Sequence, residues 1–279
     1  MSKTDLTGLD QHQKDFIKLI RENARRHHLH EVFRDFCEMS ALAFSNAVDL
    51  AQREPREARY LQIVCRYEPE EVKRFPVMLH HVVESLQGRF HDCLGQLFMA
   101  LQLGDHWKGQ FFTPYDLAYL MAKIGGASAP VDGKGFATLM EPACGAGCMV
   151  IAAAEAMHDD GINYQQCLHV TAIDIDQTAA HMAYIQLTLL HVPAIVVHGN
   201  ALWPDKTWSN WVTPAHVLGG WDRKLAQADV AQASAGESPA PAAAELEISQ
   251  NVDEVRAAVD LVKHRSEVVA ARVGQLALF

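Results

Sequence analysis

Two short segments carry residue types suited to holding a nucleoside-like ligand. One is Gly109-Gln110-Phe111-Phe112-Thr113-Pro114; the other, about thirty residues later, is Glu141-Pro142-Ala143-Cys144-Gly145-Ala146-Gly147. Gly145 and Gly147 permit a tight strand-to-helix turn whose main chain approaches a ligand closely, as nucleotide sites on α/β sheets require. Asp174 ends the apolar run Leu168-His-Val-Thr-Ala-Ile173, so a carboxylate stands at a strand's carboxyl end, where it suits ribose hydroxyls. Asn200 and Ala201 follow a third apolar run, Ala194-Ile-Val-Val197, and Asn200 adds an amide there. A plain tight turn and a dinucleotide site compete for Gly145 and Gly147. The third glycine of the dinucleotide fingerprint would fall at Val150, and Gln110–Pro114 would then have no role.

The elements that must position these groups follow from periodicity. Residues 1–103 read as a helical domain, with apolar residues at three- and four-residue steps in Phe16, Ile17, Ile20 and again in Val32, Phe33, Phe36. From about residue 137 the pattern turns to strand, helix, strand. The runs 136–140, 168–173 and 194–197 read as strands, 148–158 and 177–191 as helices, and Asp176 as a helix cap. Such alternation predicts a parallel, doubly wound sheet in a domain spanning 104–225. Residues 226–247, rich in Ala, Ser, Gln and Pro, read as a flexible linker. In 248–274, Ile248, Val255, Val262 and Val269 lie seven apart, as do Val252, Val259 and Val273. This is a helix with a short β-branched seam, open to docking on its own domain or to self-association.

The segments 109–114 and 141–147, in this order, resemble the cofactor cradle of N6-adenine DNA methyltransferases. The resemblance is to the methylation subunit of type I restriction–modification systems, and it covers roughly residues 85–202. It implies an α/β fold: a curtailed Rossmann-like sheet of three to five mostly parallel strands behind an N-terminal α-helical domain. It implies S-adenosyl-L-methionine as cofactor, with the 110–114 loop folded over its methionine end. The remaining contacts would come from Glu141 toward the ammonium group, the 142–147 turn, Asp174 and Ile175 at the ribose, and Asn200 and Ala201 at the adenine. That family often has Asp where Asn200 stands. DNA and a specificity or partner subunit are the implied partners.

Methylating adenine N6 calls for oxygens that accept both amino hydrogens and a ring that stacks on the flipped base. The resembling enzymes use Asn/Asp-Pro-Pro-Tyr/Phe, and no such tetrapeptide occurs here. The nearest stretch is Thr213-Pro214-Ala-His216, which offers a hydroxyl and an imidazole or simply marks a turn. Two readings stay open: an enzyme using this degenerate stretch or a partner's residues, and a module that binds cofactor, DNA or the replication sliding clamp without turnover. The module would act in replication, restriction avoidance or mobile-element regulation.

Net charge is −10, so no global basic field holds a polyanion, and DNA contact would need a local patch. Lys14, Lys18, Arg21 and Arg25 fall on one stripe of the first helix, a candidate phosphate-tracking face or an ordinary solvated one. Trp203, Trp208, Trp211 and Trp221 are dense enough to stack on bases or to cover a sheet edge. His27, His28 and His30 lack carboxylate or cysteine partners at zinc spacing, so no metal is expected. The six cysteines form no CxxC pair, which suits a reducing cytoplasm. The start shows no signal segment and no run reaches membrane length, so a soluble cytoplasmic protein is expected. The final residues, Gln275-Leu276-Ala-Leu278-Phe279, resemble the pentapeptide by which bacterial proteins bind the sliding clamp, with Leu278 and Phe279 as the apolar anchors.

Overall fold

The computed structural model describes residues 6–103, 113–125, 135–203 and 205–235. Gln110, Phe111 and Phe112, residues 236–247, the 248–274 helix and the 275–279 peptide lie outside the described residues.

The N-terminal part is helical as expected: α1 (Gln11–Asn23), α2 (Leu29–Val48), α3 (Arg53–Val64), α4 (Pro69–Val72), α5 (Arg74–Leu86) and α6 (Cys93–Ala100). Local chemistry sets the start of α1. The Asp10 carboxylate accepts from Gln13 N while the Gln13 side-chain Oε1 accepts from Asp10 N, a reciprocal cap. Phe16, Ile17 and Ile20 then form its buried stripe. Asp35, fully buried on α2, accepts from Tyr67 Oη at 3.0 Å and Arg66 Nη1 at 3.1 Å, and so fastens α2 to the turn after α3.

The remainder builds α7 (Tyr115–Ile124), β1 (Ala137–Glu141), α8 (Cys148–Asp159), α9 (Tyr164–Cys167), β2 (Leu168–Asp174), α10 (Gln177–Leu189), β3 (Ala194–Gly199), β4 (Thr207–Val212), α11 (Pro214–Leu218) and α12 (Trp221–Ala235). The sheet order is β1-β2-β3-β4, with β1, β2 and β3 parallel and β4 antiparallel to β3. The mostly parallel α/β sheet and the N-terminal helices are as the sequence implies. The double winding is not: strand order never reverses among the described residues. Right-handed β-α-β crossings that step in one direction place α8 and α10 on the same face. That face, with Leu168, Val170, Ala172, Ala194, Val196 and Trp211, is buried. Helix α2 packs on the far side of α10, and a continuous apolar core runs from Phe16 and Phe98 to Trp211.

Residues 226–235, expected as linker, continue α12. A stretch poor in large apolar residues reads as linker by composition, but alanine is the strongest helix former and carries the helix on. Its start is anchored by Trp221, which is fully buried. The indole lies so close that a Cβ at Gly219 would sit 2.6 Å from Trp221 Nε1, which explains the glycine.

A single carboxamide joins the helical part to the glycine turn. Gln186, wholly buried on α10, donates from Nε2 to Ala146 O and to Asp92 Oδ1, each at 2.8 Å. Its Oε1 accepts from Leu94 N at 3.0 Å. Asp92 in turn caps α6 by accepting from Gly95 N at 2.8 Å, and a Cβ at position 95 would collide with that carboxylate. Burial pushes the Asp92 carboxyl above its usual range, against the opposing pull of the Gln186 and Gly95 hydrogen bonds.

Three histidines are buried neutral. Burial is the leading cause in each case, and it pulls His91, His169 and His181 down to about 4. His181 is fully buried, stands edge-on to Trp211, and has neither ring nitrogen hydrogen-bonded among the described residues.

Two outcomes are expected. Gln186→Leu leaves the Leu94 amide and the Ala146 carbonyl unsatisfied and should cost about 2–4 kcal/mol in a urea titration. A loss under ~0.5 kcal/mol would contradict that role. His181 has a folded pKa near 4, below the ordinary ~6.5, so its stability contribution is whole above ~6.5 and drains as pH falls toward 4. The stability of His181→Leu relative to wild type should therefore improve by about 2 kcal/mol between pH 7 and pH 4.5. A pH-independent difference would count against a buried neutral imidazole.

Candidate functional site

Parallel pairing sets Glu141, Asp174 and Asn200 along one edge of the sheet, since β1, β2 and β3 all end there. Each group arrives by a local device. Glu141 closes β1, and its Oε1 accepts from Ala143 N at 3.2 Å, folding the carboxylate over the start of the turn. The turn itself is held by Cys144 N donating to Ile173 O and Gly147 N donating to Cys144 O, both at 2.8 Å. Gly145 and Gly147 have φ of 54° and 96°, the left-handed region where a side chain costs about 1–2 kcal/mol. A Cβ at Gly147 would meet Ala183 only at 3.5 Å, so dihedral angle rather than space demands that glycine.

Asp174 is the hub. Its Oδ2 accepts from Gly145 N and its Oδ1 from Asp176 N, each at 2.8 Å. Burial pushes its carboxyl above the usual range, partly offset by the Asp176 and Gly145 amides and by His198. Two oxygens offer about four acceptor sites, and these two amides use half of them. The residual capacity lies beside Ile175, which is 62% exposed. Asp176 caps α10 by accepting from Ala179 N at 3.0 Å. Asn200 turns its Oδ1 onto Leu202 N at 3.0 Å, with Ala201 half-buried between them.

The loop at 113–114 meets this edge. Cys148 Sγ, at the first position of α8, lies 3.3 Å from Thr113 O. Pro114 precedes α7, where it stands at the N-cap and not inside the first turn. Helix α7 then runs along α8 through a seam of small residues: Ala118 and Ala122 against Ala152, Ala153 and Ala156. Tyr115 Oη donates to Glu155 Oε2 at 2.7 Å, Tyr119 Oη to Asp159 Oδ2 at 2.6 Å, and Lys123 Nζ to Asp160 Oδ1 at 2.6 Å. The four-residue step of Tyr115, Tyr119 and Lys123 along α7 brings each to an acid on or just after α8 and locks the register of the two helices.

Sequence reasoning missed Asp92, Gln186 and the Tyr115–Glu155 and Tyr119–Asp159 pairs. Asp92 and Gln186 are separated by 94 positions and the two tyrosine pairs by 40, and no spacing rule joins residues so far apart.

The proposed chemistry at 213–216 does not survive. Thr213 is fully buried; its hydroxyl donates to Val192 O at 2.8 Å and accepts from Ala194 N at 2.9 Å, and it caps α11. Pro214 opens α11 at a favoured first-turn position. His216, 1% exposed, bridges His169 Nε2 and Asp222 Oδ1, each at 2.9 Å. Val192 and Ala194 mark the start of β3, so this cluster sits at the opposite edge of the sheet from Asp174, packed and closed to a base.

The tryptophans divide. Trp211 and Trp221 are core residues, and Arg56 lies 4.4 Å over the Trp211 ring. Trp203 and Trp208 are 57% and 56% exposed in the loop and strand after β3, with Lys206 Nζ 4.7 Å over the Trp203 ring. On α1, Lys18 is paired with Asp15 at 2.6 Å, Arg21 is exposed and Lys14 half-buried, while Arg25, expected on the same helix, lies exposed in the turn beyond its end at Asn23. Arg25 borders a cleft that also holds Glu22, Glu68, Glu70 and Glu71, so the surface there is mixed in sign. His27 faces Glu71 at 3.4 Å, and no group able to hold a metal ion occurs among the described residues. No described helix is long and apolar enough to cross a membrane.

Residues 97–217 match the family model described as N-6 DNA Methylase. The chain is similar to a solved structure from Listeria monocytogenes described as a class I S-adenosylmethionine-dependent methyltransferase, with 13% identity over 66% of this chain and 52% of that one, TM-score 0.37. It is also similar to a type I restriction–modification system methyltransferase subunit from Streptococcus thermophilus, with 14% identity over 66% of this chain and 55% of that one, TM-score 0.31. The chain thus spans about half the length of these structures. No curated protein matches it. The match to the N-6 DNA Methylase model runs across both the Thr113 loop and the Gly145–Gly147 turn, which meet at the head of α8.

Proposed function

We propose that the chain binds S-adenosyl-L-methionine at the carboxyl edge of β1, β2 and β3 and acts on DNA as an adenine-N6 methyltransferase-like protein. The observation that carries this is Asp174, a half-buried carboxylate that braces the glycine turn through Gly145 N yet keeps acceptor sites free. The cofactor supplies an electrophilic methyl group. The chain's part is to hold it: Asp174 takes the ribose hydroxyls, Glu141 the ammonium group, and the 142–147 main chain the approach between them. Ile175, Asn200 and Ala201 flank the purine, and Thr113 and Pro114, with Gln110, Phe111 and Phe112 before them in sequence, supply contacts to the methionine end. The family match supports the cofactor, and the acid–glycine–acid arrangement fits its polar groups.

The chemical half is of a different standing. Transfer to adenine N6 needs acceptors for two amino hydrogens beside the methyl donor, and Thr213 and His216 are buried at the other edge. Residues 1–279 contain no Asn/Asp-Pro-Pro-Tyr/Phe. The reading is therefore a cofactor-holding member of the family whose methyl transfer depends on groups brought by a partner, such as a specificity subunit.

Calorimetry with S-adenosyl-L-methionine tests the site. Wild type should bind, and Asp174→Ala should weaken binding by about 1–3 kcal/mol, the worth of a charge-assisted hydrogen bond. Equal affinities would remove Asp174 from the site. Incubating the chain with methyl-labelled cofactor and unmethylated DNA should leave adenine unlabelled; label in adenine would show that the chain is an enzyme by itself.

A further inference from the structure

The connection from β3 to β4 starts at the carboxyl edge of the parallel strands, and the pairing slips there. His198 pairs with Ser209 and Gly199 with Thr207, so Trp208 is an extra residue between two ladder pairs. A bulge of this kind re-aims a side chain, and bulges gather beside functional sites. The indole it presents lies 4.7 Å from the His198 imidazole, ring centre to ring centre, and stays more than half exposed. His198 in turn pairs with Asp174 on β2. Two strand spacings, about 10 Å, therefore separate Trp208 from Asp174.

The same connection carries a second exposed ring. Trp203 N donates to Asn200 O at 2.9 Å and Trp203 O accepts from Lys206 N at 2.8 Å, so its main chain is pinned on both sides. Its indole is also more than half exposed, with Lys206 Nζ 4.7 Å over the ring, and Leu202 beside it is 86% exposed. A single apolar side chain in water is ordinary, but a cluster of large ones marks a contact surface. The occupant must suit flat aromatic faces and one cation, at an edge proposed to serve DNA. Unpaired nucleobases meet all three conditions: every base has a π-face for an indole, and Lys206 can meet an adjoining phosphate. Asp205 is exposed in the same loop, so the surface is not strongly basic, and stacking must carry the contact. A duplex keeps its bases stacked inside and has no such faces to offer.

We propose that Trp203 and Trp208 form a stacking surface for the unpaired bases of a DNA strand, next to the edge assigned to the cofactor. This rests on the reading that the chain acts on DNA, and adds the form of the substrate: a strand opened around its target. Chemistry on a base requires that base to leave the stack, and a surface for its neighbours stabilises the opened strand.

Fluorescence anisotropy of the full chain with a labelled single-stranded oligonucleotide, and with the same sequence as a duplex, tests this. The single strand should bind about tenfold or more tighter than the duplex. Trp203→Ala and Trp208→Ala should each weaken single-strand binding about tenfold, the worth of one stacked base, while Trp208→Phe keeps most of the affinity. Lys206→Ala should flatten the logarithmic salt dependence by about 0.7, one phosphate contact. Melting curves show that the variants are folded, and calorimetry with S-adenosyl-L-methionine on Trp208→Ala should match wild type. Three results overturn the proposal: equal or better binding of the duplex, undiminished single-strand binding in both alanine variants, or loss of cofactor binding in Trp208→Ala, which would give the indole to the cofactor's purine. The two readings fail separately. Oligonucleotide binding without cofactor binding in wild type removes the cofactor site and keeps the stacking surface, and the reverse removes the stacking surface alone.

Discussion

The Gln186 side chain occupies the junction on which the arrangement turns. Its amide hydrogens reach Ala146 O in the glycine turn and Asp92 at the cap of α6, while its oxygen takes Leu94 N. Every polar atom of the carboxamide is used, so the group is buried without an orphan. The consequence is mechanical. The turn that would face a ligand is not an independent loop but is hydrogen-bonded through α10 to the start of α6, and so to the N-terminal helices. A nucleotide-type site needs its main chain fixed before a ligand arrives, and this network does the fixing.

Polar groups are used in the same manner elsewhere in the interior. Glu38 takes two bonds from Arg59 at 2.6 and 2.8 Å, which hold its carboxyl below the usual range against the rise that burial alone would cause. Arg56 reaches Asn210 O at 2.7 Å while covering the Trp211 ring, tying α3 to β4. The chain His169–His216–Asp222 ties β2 to α11 and α12. The Arg56 link joins the helical part to the sheet across 154 positions, and the two parts share one apolar core.

The carboxyl edge of the parallel strands and the opposite edge show how position decides chemistry. Asp174 and Thr213 are both small polar residues at strand ends, and both bond to backbone. Asp174 stands where parallel strands finish, beside an exposed Ile175, with acceptor capacity to spare. Thr213 stands where β3 begins, and its one hydrogen and its lone pairs go to Val192 and Ala194. Only the first is available to a ligand.

Much of this was legible in the chain because it depends on local order. Strand–helix alternation, the Asp176 cap and the need for glycine at 145 and 147 are properties of short stretches, and each element forms within a residue or two of its expected place. Alanine-rich 226–235 misled, because low apolar content resembles a linker while alanine itself favours a helix. What the sequence alone determined, then, was local: a glycine turn after one strand and an acid at the end of the next. What only the tertiary structure decided was the company these residues keep. Gln186 meets both the turn and Asp92 across many intervening residues, the described strands step in one direction, and His216 is sealed inside. Those outcomes depend on which faces pack together, and packing is a property of the whole chain that no short segment encodes.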